Sequence, residues 1–155
     1  METNRRAIAL AAAAVIALPT EGLRRVAYYD PPGVLTVCYG STGNVDPTRV
    51  YSMEECRQRF GRQMGDAVDT VERCAPGLPP HVLAAFADAV YNMGPTIACN
   101  TSASTAARLL RAGKLEAACN ELPKWDKARM LGSLVALPGL TARRALERDI
   151  CLGRS

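Results

Sequence analysis

Residues 19–40 read PTEGLRRVAYYDPPGVLTVCYG, and the way this stretch folds decides the architecture of everything after it. Pro19 closes an apolar segment. Beyond it the texture changes, and residues 27–46, AYYDPPGVLTVCYGSTGNVD, are rich in Tyr, Val, Thr and Gly. Pro31-Pro32-Gly33 and Thr42-Gly43-Asn44 are turn signals between short β-prone runs, so the segment predicts a small antiparallel sheet of two or three strands.

Working outward, the upstream segment is an unbroken apolar run of twelve residues from Ala7 to Leu18, preceded by Arg5 and Arg6. Its alanines favour helix but contribute little to hydrophobic burial, and twelve residues fall short of the ~20 that a spanning helix needs. Three readings compete. It is a cleaved signal peptide with Val15-Ile16-Ala17 as the cleavage site, a buried helix of the folded domain, or an uncleaved export signal that later leaves the membrane. The boundary at Pro19 divides the chain into residues 1–19 and a folded domain over 20–155.

Downstream the periodicity turns helical. Ser52-Met-Glu-Glu55 is a capping box, and Met53, Cys56, Phe60, Met64, Ala67 and Val71 recur at spacings of three and four, which predicts a helix over 53–72. Pro80 suits the first turn of a helix through Leu83, Phe86, Ala87, Val90 and Tyr91, ended by Gly94-Pro95. Further helices are expected at 103–112, 114–121 and 139–152, with Gly113 between the first two. Between Trp125 and Pro138 the pattern predicts irregular or short helical structure. One small sheet followed by mostly helix is an α+β arrangement.

The chain has 155 residues, 48% of them apolar and 22% charged, which suits one domain with a full-sized core. The net charge of +4 is scattered, with no Lys/Arg run longer than two, so no nucleic-acid partner is expected. Six cysteines, Cys38, Cys56, Cys74, Cys99, Cys119 and Cys151, form no C-x-x-C pair, and His81 stands alone. The spacing argues against zinc and for three disulfides in an oxidising compartment, with 15 pairings open. No metal or cofactor is expected.

With no His cluster and no Gly-rich phosphate loop, carboxylates are the candidates for chemistry. Glu21 follows the apolar helix, Asp30 lies nine residues on at a strand end, and Thr36 lies six further in the next strand. A helix end followed by a hairpin folds back and can bring Glu21 and Asp30 to opposite sides of one cleft. Two carboxylates flanking a sugar bond are what glycoside hydrolysis requires, one giving a proton and one ionised. Glu21 against an apolar helix suits the acid, and Asp30 in a polar turn the charged partner.

Glu21-Gly22-Leu23-Arg24, Tyr28-Tyr29-Asp30, Gly33 and Leu35-Thr36-Val37-Cys38-Tyr39-Gly40 resemble the signature of phage-type lysozymes, glycoside hydrolase family 24. The resemblance continues in Ala85-Phe86, Tyr91-Asn92-Met93-Gly94, Leu109-Leu110, Trp125, and Gly139-Leu140 through Arg143-Arg144 to Glu147. It implies a lysozyme-like fold and cleavage of peptidoglycan between N-acetylmuramic acid and N-acetylglucosamine with inversion. It implies Glu21 as general acid, Asp30 as the second carboxylate and Thr36 as a water-positioning hydroxyl. Asn92 is implied in sugar binding, and Arg144, with Arg143 as the alternative, in approaching Glu21. Ser41 stands where many members have His, which puts local stability in question.

The similar sequences also imply the pairings Cys38–Cys56, Cys74–Cys99 and Cys119–Cys151. Residues 5–18 look like the weak anchor of signal-anchor-release endolysins. That implies export to the host periplasm, transient contact with the inner membrane and tethering before release. No cysteine lies in that segment, so thiol exchange from the anchor is not expected. A monomer is expected, with peptidoglycan as the partner.

Overall fold

The computed structural model describes residues 2–154, with side chains from Asn4 onward, so the ends of the two expected segments, Met1 and Ser155, lie outside it. Helix α1 spans Glu2–Glu21. A three-stranded antiparallel sheet follows in the order β1 (Arg24–Tyr29), β2 (Leu35–Cys38), β3 (Ser41–Thr42). Then come α2 (Met53–Cys74), α3 (Pro80–Met93), α4 (Thr96–Cys99), α5 (Thr105–Arg111) and α6 (Leu115–Cys119). After a short 3-10 turn at Leu122–Lys124, β4 (Lys127–Met130) and β5 (Ser133–Ala136) form a second hairpin, and α7 (Pro138–Cys151) closes the chain.

Helix α1 does not stop at Pro19, where the sequence places its end. Pro19 removes one backbone donor in the last turn, at a point where Val15, the residue four back, is largely exposed. The Thr20 hydroxyl donates to the Ile16 carbonyl at 2.6 Å. The helix ends instead at Gly22, whose φ of +68° and N–H bond to the Leu18 carbonyl at 3.1 Å make it the terminating residue.

Ala9, Ala13, Ile16 and Ala17 of α1 are all completely buried, packing chiefly on α3. α3 is itself built of small residues at Ala84, Ala85, Ala87 and Ala89, so the two helix backbones approach closely. Arg5 pairs with Glu72, and Arg6 pairs with Asp69 at 2.9 Å, which fastens the start of α1 along α2. The apolar run is thus an integral core helix in this fold. Replacing Ala13 with Leu is expected to lower stability by about 1–3 kcal/mol through overpacking, measured as a shift in the urea midpoint. An unchanged midpoint would mean that α1 packs loosely.

The capping box is present: Ser52 Oγ accepts the Glu55 N–H at 3.0 Å, and Glu55 Oε1 accepts the Ser52 N–H at 3.0 Å. Pro80 occupies the first turn of α3. The segment expected to be irregular or short-helical is the β4–β5 hairpin, with Lys127 opposite Ala136 and Met130 opposite Ser133. Disulfides join Cys38 to Cys56, Cys74 to Cys99 and Cys119 to Cys151, the pairs that the resemblance implies. They tie β2 to α2, the end of α2 to α4, and α6 to the end of α7, each contributing about 3 kcal/mol by restricting the unfolded chain.

Candidate active site

Glu21 is the last residue of α1, so the packing of that helix fixes its position. Its carboxylate lies directly over Gly40: a Cβ at residue 40 would fall 2.1 Å from Glu21 Oε2 and 2.3 Å from Cδ. Gly40 also has φ +68°, which favours glycine. Glycine is required here both by backbone conformation and by the carboxylate above it. Gly40→Ala is expected to leave the protein folded, because the clash is with the far end of a flexible side chain. It should lower kcat about 100-fold, the scale of an ångström of misplacement. Near-normal turnover would show that Glu21 need not rest there.

Arg143 of α7 donates from Nη1 to Glu21 Oε1. The resemblance puts Arg144 beside Glu21, but the structure gives that place to Arg143. Arg144 is wholly buried, donating to Asn92 Oδ1 at 2.5 Å and contacting Met93 Sδ at 3.3 Å. Adjacent helix residues point about 100° apart, so the two buried guanidinium groups reach different partners. Glu21 therefore meets a cation rather than a wholly apolar wall.

Arg143 is itself held by Asp88, which the sequence reading passed over. Nε and Nη2 of Arg143 donate to the two Asp88 oxygens at 2.8 and 2.7 Å, and Asp88 is fully buried. Burial opposes the charge on both groups, but the bidentate bond outweighs it. Asp88 is held below the usual carboxylate range, and Arg143 stays firmly cationic beside Asp88 and Glu21. The signal available in the sequence was an acidic residue inside the apolar run VLAAFADAV, since a buried charge demands a partner.

Glu147, one turn after Arg143, is also fully buried. Arg144 Nε lies 3.0 Å from its Oε1, but neither Glu147 oxygen meets hydrogen-bond geometry. Burial, and then the neighbouring Asp88 carboxylate, push Glu147 well above the usual carboxylate range, which favours its protonated form. The unfolded chain ionises it near 4.5. The stability it contributes is therefore complete below that pH and is lost as pH rises toward the folded value. Glu147→Gln fixes the neutral form. Its stability relative to wild type is expected to rise as the pH is raised from 4 toward 8. Urea melts across that range check this; a mutant that loses ground at high pH would mean that Glu147 is ionised in the fold.

Asp30 opens the β1–β2 turn. Its Oδ1 accepts the Val34 N–H at 2.7 Å, and its carbonyl accepts the Gly33 N–H at 2.8 Å, while Oδ2 has no protein partner among the described residues. Tyr28 reports on both carboxylates. Its phenol is pushed up by burial first and then by the charges of Glu21 and Asp30, which puts the two within electrostatic reach of one ring. Thr36 pairs with Tyr28 across the sheet. It is almost fully buried, and its hydroxyl donates to the Val34 carbonyl at 2.8 Å.

Beyond Gly40 runs a cleft of about 460 Å³ lined by Thr42, Gln63, Asp66, Thr70, Tyr91 and Gly94, among others. Tyr91 donates to the Tyr39 carbonyl at 2.6 Å, closing the cleft wall against the sheet. Burial first, then the Glu21 charge, raises its phenol. Ser41 restores the local order that the missing His put in question. Its hydroxyl donates to Gln63 Oε1 at 2.7 Å and accepts from Arg59 Nε at 2.8 Å.

Residues 19–147 match the family described as phage lysozyme. A SAR-endolysin of Bacteriophage PS119 is 34% identical over 137 residues, which cover 85% of this chain and 76% of the relative. A SAR-endolysin of Pseudomonas phage phiKMV is 33% identical over 159 residues, covering 98% and 93%. The crystal structure of the active form of P1 phage endolysin Lyz superposes with a TM-score of 0.79 at 25% identity, covering 92% of this chain and 83% of that one.

Proposed function

The chain belongs to the phage lysozyme family and is a glycoside hydrolase, and from that premise we propose that it hydrolyses the β-1,4 bond between N-acetylmuramic acid and N-acetylglucosamine in peptidoglycan, lysing the host cell. The observation that supports this is the Glu21 carboxylate held by Arg143 over Gly40, a residue that also lines the cleft, with Oδ2 of Asp30 left open in the β1–β2 turn. Glu21 gives its proton to the leaving glycosidic oxygen, which departs with the electron pair of the broken bond. Water adds to the anomeric carbon. Asp30, with Oδ2 open, accepts the proton that this water loses, or stabilises the positive charge that develops on the sugar while that proton passes to bulk water.

Thr36 assists through the acceptor lone pairs that its bond to Val34 leaves open. Asn92, its Oδ1 occupied by Arg144, offers its amide N–H groups to a bound sugar, and Arg144 acts by orienting it. A monomer acting on peptidoglycan completes this proposal. Digestion of purified peptidoglycan tests the reaction. New reducing ends whose first-formed anomer is inverted support it, while anhydro-muramic products would assign a transglycosylase instead.

We further propose that residues 1–19 serve first as an uncleaved export anchor and afterwards as α1, with 20–155 as the catalytic domain. Relatives named SAR-endolysin support this, as does the alanine-rich stripe that suits a weak hold. Among the described residues no helix is long and apolar enough to cross a membrane. Fractionation with N-terminal sequencing tests it: intact chains are expected first in the membrane fraction and then soluble in the periplasm. A trimmed N-terminus would make the segment a cleaved signal.

A further inference from the structure

Away from the cleft, the β4–β5 hairpin presents apolar side chains to water. Leu131 at its tip is fully exposed, and Leu134 and Val135 are 62% and 41% exposed. The register sets Arg129 opposite Leu134 and Lys127 opposite Ala136. Side chains alternate along a strand, so these four share one face, with Leu131 at its end. Leu131 has φ +50°, a left-handed conformation uncommon for a side-chain-bearing residue, and Gly132 follows in the same region.

Arg129 donates from Nη1 to the Gly132 carbonyl at 3.2 Å, which rests its cation at the tip beside Leu131. It has no acidic partner among the described residues, while Lys127 Nζ stands 3.1 Å from Asp126 Oδ1. From residue 127 to 146 the sequence holds no Asp or Glu. The hairpin is also fastened to α7. The Leu137 N–H donates to the Asp126 carbonyl at 3.1 Å, and the Thr141 hydroxyl to Asp126 Oδ2 at 2.8 Å.

We propose that this hairpin docks the protein on the surface of an anionic lipid bilayer. Leu131 and Leu134 enter the boundary between headgroups and acyl chains, and Arg129 and Lys127 lie on lipid phosphates. The tip is aliphatic and collared by cation, which complements a negatively charged lipid surface. A glycan strand is a hydroxyl-rich polymer with no apolar volume into which a leucine can leave water. Leu131 and Leu134 are also far too small a patch for a stable contact with a second protein. The bond network to α7 makes such docking fix the orientation of the whole enzyme. This inference does not depend on whether residues 5–18 ever lie in a membrane.

Vesicle co-sedimentation of the full chain tests it, with phosphatidylglycerol–phosphatidylethanolamine vesicles compared against phosphatidylcholine alone. Wild type is expected to bind the anionic vesicles selectively. Lys127→Gln and Arg129→Gln should each weaken binding about fivefold, and Leu131→Asp roughly tenfold. Reducing-end release from lipid-free peptidoglycan should stay at the wild-type level in all three, which establishes that they fold. All three keep α1, so binding through that helix would survive every substitution. Equal binding by variants and wild type, or no binding by wild type, overturns the proposal. So does a selective loss of binding to lipid-free wall, which would assign the hairpin to the glycan.

Discussion

Glu21→Gln is expected to lower kcat on purified peptidoglycan by about 10²–10⁴-fold, the contribution of a positioned general acid. The substitution keeps the shape of the side chain, so α1 and its packing should be undisturbed. It removes the proton that the leaving oxygen needs. The amide can also turn its oxygen toward Arg143, so the hydrogen bond to Nη1 survives without the charge. KM should therefore change little while kcat falls. Turbidity clearing and reducing-end release measured together check this. Equal clearing by mutant and wild type would remove Glu21 from the chemistry and point to lysis by membrane disruption.

Arg143→Met is expected to cost about 3–5 kcal/mol of stability, because it leaves buried carboxylate without its cation. Asp88 would lose both of its guanidinium bonds, and Glu21 its only cationic contact from α7. The double variant Asp88→Asn with Arg143→Met should recover part of that loss, since a neutral amide tolerates burial better than an unpaired charge. Chemical denaturation of Arg143→Met, Asp88→Asn and the double variant gives the coupling. Strict additivity would mean that the buried pair is not the source of the cost. Activity should remain low even in the recovered double variant, because the Glu21 carboxylate then lacks the guanidinium that holds it.

Much of this was legible in the sequence because local rules and tertiary demands agreed. Ser52 and Glu55 form the capping box that their spacing announces, and Pro80 starts α3 as its fixed φ allows. The turn residues around Pro31-Pro32-Gly33 do bound strands β1 and β2. The β4–β5 hairpin was missed for a physical reason. Its strands, KARM and SLVA, carry several residues of poor strand propensity, and its turn is Leu131-Gly132 rather than Asn-Gly or Asp-Gly. Pro19 misled because a proline is tolerated in a last turn whose facing residue is open to solvent.

The site was partly legible as well. Glu21 ends α1 with its carboxylate over Gly40, and Asp30 opens the β1–β2 turn, as the helix-then-hairpin reading expects. Periodicity alone could not choose between two adjacent arginines, because the choice depends on Asp88, which lies 55 residues from Arg143 in the chain. Only the packing of α3 against α7 decides which arginine finds a buried carboxylate.

The contact between Glu21 and Arg143 also has a consequence in time. These residues are 122 positions apart, one at the end of the first helix and one in the last. A ribosome delivers the chain from its N-terminus, so Glu21 exists long before its arginine does. No partly synthesised chain can form this contact, which waits until the final helix has emerged and docked.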